Sequence, residues 1–308
     1  MGAIASITAP IFTLILLGAG ARYWRLLDPA GLRGLSDLTF FLAIPALLFG
    51  AVVEAPTLRV LDVALLYFAC CLAVFFAGLL LARWTLGAGL AQAAVVGLNS
   101  CYGNTVMLGV PMISSAFGSD GITLLLPVIA LHSVLLLPLA SVLIEAGGHN
   151  TRNPLRILLR TAPSLARNPV ILAIVFALIW RAAGIPMPDP LHRLLMMLGA
   201  AAPTLALFSL GTSLPDFAAQ GSLREAGLAA MLKLVAQPLL MWACAAIVGL
   251  GPLATAVIVM TAGTPTGANA FFLARSTGTL AAASAGTVVA STVLSIITLS
   301  VILGLLRP

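Results

Sequence analysis

Apolar runs of about twenty residues follow one another along almost the whole chain, as in "VALLYFACCLAVFFAGLLLA" between residues 63 and 82. A helix of that length crosses the roughly 30 Å hydrocarbon core of a bilayer, and this requirement limits the fold more than any other feature. Only 8% of the 308 residues are charged, against about a quarter in soluble domains. The sequence therefore predicts an all-α integral membrane protein. Ten stretches qualify as spans: 4–21, 36–53, 60–82, 92–114, 121–145, 169–183, 191–213, 225–249, 252–273 and 280–306. Long apolar runs without strict alternation predict transmembrane helices in place of a closed barrel.

The formal net charge of +6 does not point to nucleic acid, because the basic residues fall singly between apolar runs. Their distribution predicts topology. Connections after odd-numbered spans hold Arg22, Arg25, Arg33, Arg83, Arg152, Arg156, Arg160, Arg167, Arg224 and Arg275, and the other side holds Arg59, Arg181, Arg193 and Arg307. Cytoplasmic loops retain Lys and Arg, so both termini are expected outside a cell inner membrane, with the connection between spans five and six in the cytoplasm. The opening "MGAIASITAPIFTLILLGAGA" lacks a basic start and is followed by Arg22 and Arg25, which predicts a retained first span in place of a signal peptide. Cys70, Cys71, Cys101 and Cys244 lack the spacing of a metal site or disulfide framework, so no metal is expected.

The longest connection is basic and rich in Pro and Asn, and it divides the spans five and five. The expected organisation is a first five-helix repeat over 1–146, a linker over 147–168 and a second repeat over 169–308. An odd number of spans per half requires related halves to be inverted. The fourth and ninth spans are the most interrupted, with "NSCYGNTVMLGVP" in one and "MTAGTPTGANAFF" in the other. Paired Gly and Pro interruptions of this kind point to the central site of a transporter. Gly103, Gly109, Pro111, Gly263, Pro265 and Gly267 are the expected helix breakers. Thr264 before Pro265 reads as a cap and first helical residue, and Gly109 before Pro111 as its counterpart. Helices restarting at mid-membrane aim positive dipole ends and free N–H groups into a cavity, which favours an anion. Asn99, Tyr102, Asn104, Thr105, Thr264, Thr266 and Asn269 are the expected substrate-binding residues. The alternative is that these small and polar residues only join or kink helices.

"NxxYGNTVMLGVPM" with "FGSDG", "LKLVAQPLL" and "GTPTGAN" resemble the auxin efflux carrier family over nearly the whole chain. The resemblance implies ten transmembrane helices in two inverted five-helix repeats, with broken crossover helices 4 and 9, as in the sodium/proton antiporter and bile-acid symporter folds. It also implies crossover prolines at Pro111 and Pro265, substrate near Asn99, Asn104 and Asn269, and an elevator-like motion. The long hydrophilic central loop of the plant carriers is missing between spans five and six.

Lys233 is the only lysine, with Gln237 one turn further along the eighth span. It reads either as a cation that meets a substrate carboxylate or as a side chain snorkelling to the cytoplasm. His132, mid-span, reads either as a proton carrier, its imidazole titrating near neutral pH, or as a hydrogen-bonded packing residue. None of the nine acidic residues lies in the fourth or ninth span, which argues against a cation antiporter. No catalytic motif or cofactor loop is present, so no cofactor and no enzyme activity are expected; the coupling ion, H⁺ or Na⁺, stays open. The expected function is secondary transport of a small organic anion, a carboxylate such as malonate or an auxin-like acid. The alternatives are a sodium-coupled symporter, a channel or sensor, and an intramembrane enzyme. The expected partners are the anion, the lipid bilayer and a second copy of the chain.

Overall fold

Polar backbone groups find no water in a bilayer, so a chain this apolar must satisfy them within helices. The computed structural model describes residues 2–54, 61–148, 167–217 and 223–306, which form helices joined by short non-helical segments, with no strand among them. The helices are α1 (Gly2–Tyr23), α2 (Pro29–Glu54), α3 (Leu61–Leu86), α4 (Leu90–Cys101), α5 (Thr105–Gly147), α6 (Pro169–Ala182), α7 (Asp189–Ser213), α8 (Leu223–Val248), α9 (Pro252–Ala262), α10 (Ala268–Ser276) and α11 (Ala281–Leu306). Seven of them, α1, α2, α3, α5, α7, α8 and α11, are long and apolar enough to cross a membrane. Three shorter apolar helices, α4, α6 and α9, accompany them. The protein is a multi-pass membrane protein. Most of the expected linker, residues 149–166, lies outside the described residues.

Several helix starts follow directly from sequence. Asp28, Asn168 and Gly251 cap helices whose first residue is Pro29, Pro169 and Pro252; proline is tolerated there because its missing N–H has no intrahelical partner anyway. Prolines further in need another solution. The π turns Thr39–Ala43, Thr105–Gly109 and Leu232–Ala236 each end two residues before a proline: Pro45, Pro111 and Pro238. A proline ring collides with the carbonyl four residues back, and widening the preceding turn moves carbonyls away from that position. In α5 a separate kink falls at Gly118, where φ is 62° and ψ −151°. It separates the part belonging to the expected fourth span from the part belonging to the fifth.

The helices pack as two groups. One is built from α1, α2, α6 and α7, with α7 against both α1 and α2 and α6 against α2. The other holds α3, α4, α5 and α8–α11. The tightest crossing in the first group joins α1 to α7. A Cβ at Gly18 would strike the Phe208 carbonyl oxygen, and one at Gly211 would strike that of Ile15. Close backbone approach through small residues replaces the hydrophobic drive that lipid removes. Beyond the crossing, Arg22 Nη2 meets Asp216 Oδ1 at 2.6 Å. Gly211→Val should therefore force the pair apart and lower stability by about 1–3 kcal/mol. Thermal unfolding of the purified protein measures this, and an unchanged midpoint would show that the crossing relaxes freely.

Candidate functional site

Between α4 and α5 the chain leaves helical geometry at Tyr102–Asn104, and between α9 and α10 it does so at Thr264–Gly267. Unwound chain exposes N–H and C=O groups that must be paired when buried. The two segments pair with each other. Asn104 N–H donates to the Pro265 carbonyl at 2.7 Å, Gly267 N–H donates to the Tyr102 carbonyl at 2.9 Å, and Gly103 and Thr266 form an antiparallel bridge. The closeness explains two of the glycines. A Cβ on Gly103 would lie 2.5 Å from Thr264 Oγ1, and one on Gly267 would lie 2.9 Å from the Tyr102 ring. Gly109 instead closes the π turn and Gly263 follows the end of α9.

The helices restart elsewhere than the sequence reading has them. Asn104, not Gly109, caps the restart of α5, its Oδ1 accepting from Met107 N–H at 3.2 Å. Pro111 lies more than a turn inside, just past the π turn. In the other segment Gly267 caps α10. Thr264 and Pro265 lie upstream of it, because the Pro265 carbonyl is engaged by Asn104 and the Thr264 hydroxyl bonds back to the Thr261 carbonyl at 2.7 Å.

A cavity of about 80 Å³ lies at the two restarts, lined among others by Asn104, Thr105, Gly267, Asn269 and Tyr102. The first turn of α6 completes it, through Asn168, Val170 and Ile171, and Phe40 of α2 and Ser133 of α5 also contribute. Three helix N-termini therefore face one space, with no Asp, Glu, Lys, Arg or His among the lining residues. Each N-terminus carries the equivalent of about half a positive charge. Asn168 Oδ1 accepts from Val170 N–H at 2.9 Å, and Asn104 Oδ1 is likewise committed to its cap, so both amides have their NH₂ ends left as donors. Asn269 Nδ2 donates to Tyr102 Oη at 3.0 Å, and that hydroxyl shares a 2.6 Å hydrogen bond with Ser133. Asn168 and Ser133 are absent from the residues expected from sequence. The dipeptide Asn168–Pro169 is a readable helix start, but nothing local says which cavity that start faces. Because α6 and Phe40 belong to the first helix group and the paired segments to the second, the cavity lies between the groups.

Asn99, Thr264 and Thr266 do not line this cavity. Thr266 Oγ1 donates to the Asn99 carbonyl at 2.8 Å, Ser284 Oγ donates to Asn99 Oδ1 at 2.9 Å, and Thr266 N–H donates to Ser291 Oγ at 3.0 Å. These groups tie the paired segments to α11. A larger cavity, about 320 Å³, opens among α2, α7 and α5. It carries Glu54 at its wall, hydrogen-bonded to His192 at 2.8 Å, and its lining is mostly apolar or small.

From sequence, Lys233 is either a substrate contact or a snorkelling side chain. Snorkelling is excluded, since Lys233 is 0% exposed. Its Nζ donates to the Ala262 carbonyl. Gln237 is equally buried and its Nε2 donates to the Cys101 carbonyl at 3.3 Å. His132 Nε2 accepts from Gly103 N–H at 3.0 Å, and its ring lies 4.5 Å from that of Tyr102. An imidazole that accepts on Nε2 carries its proton on Nδ1, and a second proton would set donor against donor. The hydrogen-bonded packing role fits this geometry.

Residues 4–303 match the sequence profile of the family described as "Membrane transport protein". The chain is also similar to a protein of Rhizobium meliloti (strain 1021) named "Putative malonate transporter", with 27% identity over 317 residues, covering 100% of this chain and 97% of that protein.

His132→Leu should leave Gly103 N–H buried without an acceptor and cost about 1–3 kcal/mol. His132→Asn, which retains an acceptor, should recover part of that loss in thermal unfolding. Equal stability of the leucine variant and the parent would remove the bond from the account.

Proposed function

Because the chain belongs to the membrane transport protein family, the auxin efflux carriers, we propose that it moves a small carboxylate anion across the membrane by alternating access. The observation that carries this reading is the convergence of three helix N-termini and two asparagine amides, whose NH₂ groups have no partner among the described residues, on one cavity without charged lining residues. Such a site attracts an anion through dipoles and N–H groups. Lacking a permanent charge at the contact, it lets the anion leave again. The malonate named for the Rhizobium meliloti relative is the first substrate to test, and short dicarboxylates are the class.

Two features support the finer reading of ten spans in inverted halves, 1–146 and 169–308. Each half contains one short helix, one unwound segment and one restart, α4 to α5 and α9 to α10, and the unwound segments pair antiparallel. The position of the cavity between two helix groups supports an elevator-type motion, in which the group holding the paired segments slides against α1, α2, α6 and α7. The arginine distribution supports outward termini and a cytoplasmic 147–168 connection.

Purified protein in liposomes should show saturable malonate uptake that is accelerated by malonate loaded on the opposite side. Linear flux without counterflow would favour a channel, and chemical conversion of malonate an enzyme. Asn104→Asp sharpens the assignment. Aspartate caps a helix as well as asparagine does, so the variant should fold normally, yet a carboxylate replaces the NH₂ donor and uptake should fall at least about tenfold. Uptake equal to the parent would remove Asn104 from the anion site.

A further inference from the structure

Helix α1 ends in a Schellman motif, in which Leu26 N–H donates to the Ala21 carbonyl at 3.0 Å and Arg25 N–H to the Arg22 carbonyl at 3.2 Å. The motif puts one residue in the left-handed region, where glycine is favoured because a Cβ is strained there. The chain follows that preference just after α3, α6, α8 and α10, where Gly87, Gly184, Gly249 and Gly278 have φ between 64° and 71°. After α1 the residue is Arg25, at φ 54°. An arginine held where the same chain elsewhere uses glycine indicates that its guanidinium has a use.

Arg25 lines a cavity of about 500 Å³ at the corner between α1 and α2, together with Arg22, Asp28 and Pro29. The charges at this corner are unequally paired. Arg22 is neutralised by Asp216, which follows α7. Asp28 is the one acidic residue among the described residues lining the cavity, and it caps the positive end of α2 by accepting from Gly31 N–H at 2.7 Å. Arg25 makes no ion pair among the described residues, and neither does Arg33, one turn beyond Pro29 on the same face of α2. The corner therefore presents unpaired positive charge. Tyr23, Trp24, Leu26 and Leu27, which adjoin Arg25 in the chain, are all exposed. Aromatic side chains in such a position sit at the headgroup level of a bilayer. By the arginine distribution this end of the molecule faces the cytoplasm, the side on which the leaflet carries negative headgroups. We propose that the α1–α2 corner binds the phosphodiester of an anionic phospholipid, with Arg25 and Arg33 on the phosphate and the exposed aromatic and leucine side chains against the glycerol and upper acyl chains. Because the corner brings together α1, α2 and the end of α7, the lipid holds one end of the first helix group. The site shares no residue with the anion cavity and does not depend on the substrate reading.

The test is thermal unfolding of the purified full-length protein in a neutral detergent, with phosphatidylglycerol, phosphatidylcholine of the same chains, or soluble glycerol 3-phosphate added. Phosphatidylglycerol should raise the midpoint above the phosphatidylcholine value, and glycerol 3-phosphate should leave it in place. Equal shifts from the two lipids, or a shift from glycerol 3-phosphate as large as that from phosphatidylglycerol, would overturn the lipid assignment. Arg25→Gly separates this role from a structural one. Glycine relieves the left-handed backbone, so without lipid the variant should unfold at or above the parent midpoint, while the phosphatidylglycerol concentration that gives half the shift should rise about fivefold. Arg83→Gln removes the same charge from the exposed end of α3 and should leave that concentration unchanged. An unchanged value in Arg25→Gly would remove Arg25 from the site, and an equal rise in Arg83→Gln would reduce the attraction to net charge; either result overturns the proposal.

Discussion

The antiparallel pairing of Tyr102–Asn104 with Thr264–Gly267 is the interaction on which the remaining architecture depends. Irregular backbone is tolerated at membrane depth only where its polar groups are satisfied by protein or line a polar cavity. Here each unwound segment is the partner of the other. The pairing also fixes the side chains around it. Gly103 and Gly267 have no room for a Cβ, Asn104 uses its backbone N–H for the pairing and its side chain for the cap, and His132 accepts the remaining Gly103 N–H. Behind the segments, the buried hydroxyls of Ser284 and Ser291 on α11 engage Asn99 and Thr266.

Much of this was legible in sequence, for identifiable reasons. Membrane helices announce themselves because lipid demands long apolar runs, and breaks in them stand out because proline, glycine and asparagine are expensive there. The location of both breaks, and the presence of Tyr102, Asn104, Thr105 and Asn269 at one cavity, followed from that contrast. The details of the restarts did not. Thr264–Pro265 has the local form of a helix start, but local preference lost to the tertiary pairing, which engages the Pro265 carbonyl and delays the helix to Ala268. Likewise Pro111 marks a constraint inside α5 and not its beginning, since Asn104 supplies a better cap than Gly109. Asn168 was beyond local reading for a different reason. It is unremarkable on its own helix and acquires a role only from what another part of the chain brings against it.

The three π turns before Pro45, Pro111 and Pro238 show how the same constraint is used more than once. Each proline needs its preceding turn widened, and a widened turn rotates the residues on either side relative to a regular helix. In α5 the rotated residues are the first turn facing the cavity. In α8 they include Lys233, with Gln237 directly after the turn. Proline in these helices is therefore more than a breaker; it changes which side chains share a face.

The arrangement separates charge without placing charged side chains where substrate would bind. Helix N-termini and asparagine amides face the cavity, and the C-terminal carbonyls of α4 and α9 face α8, where Lys233 and Gln237 receive them. A lysine in the cavity itself would hold a carboxylate by a direct ion pair, strong in a low-dielectric site and slow to release. Helix dipoles and amide donors give a weaker and more diffuse attraction, which discriminates by sign and by fit more than by strength. For a carrier, which must bind on one side and release on the other, that is the more useful form of selectivity.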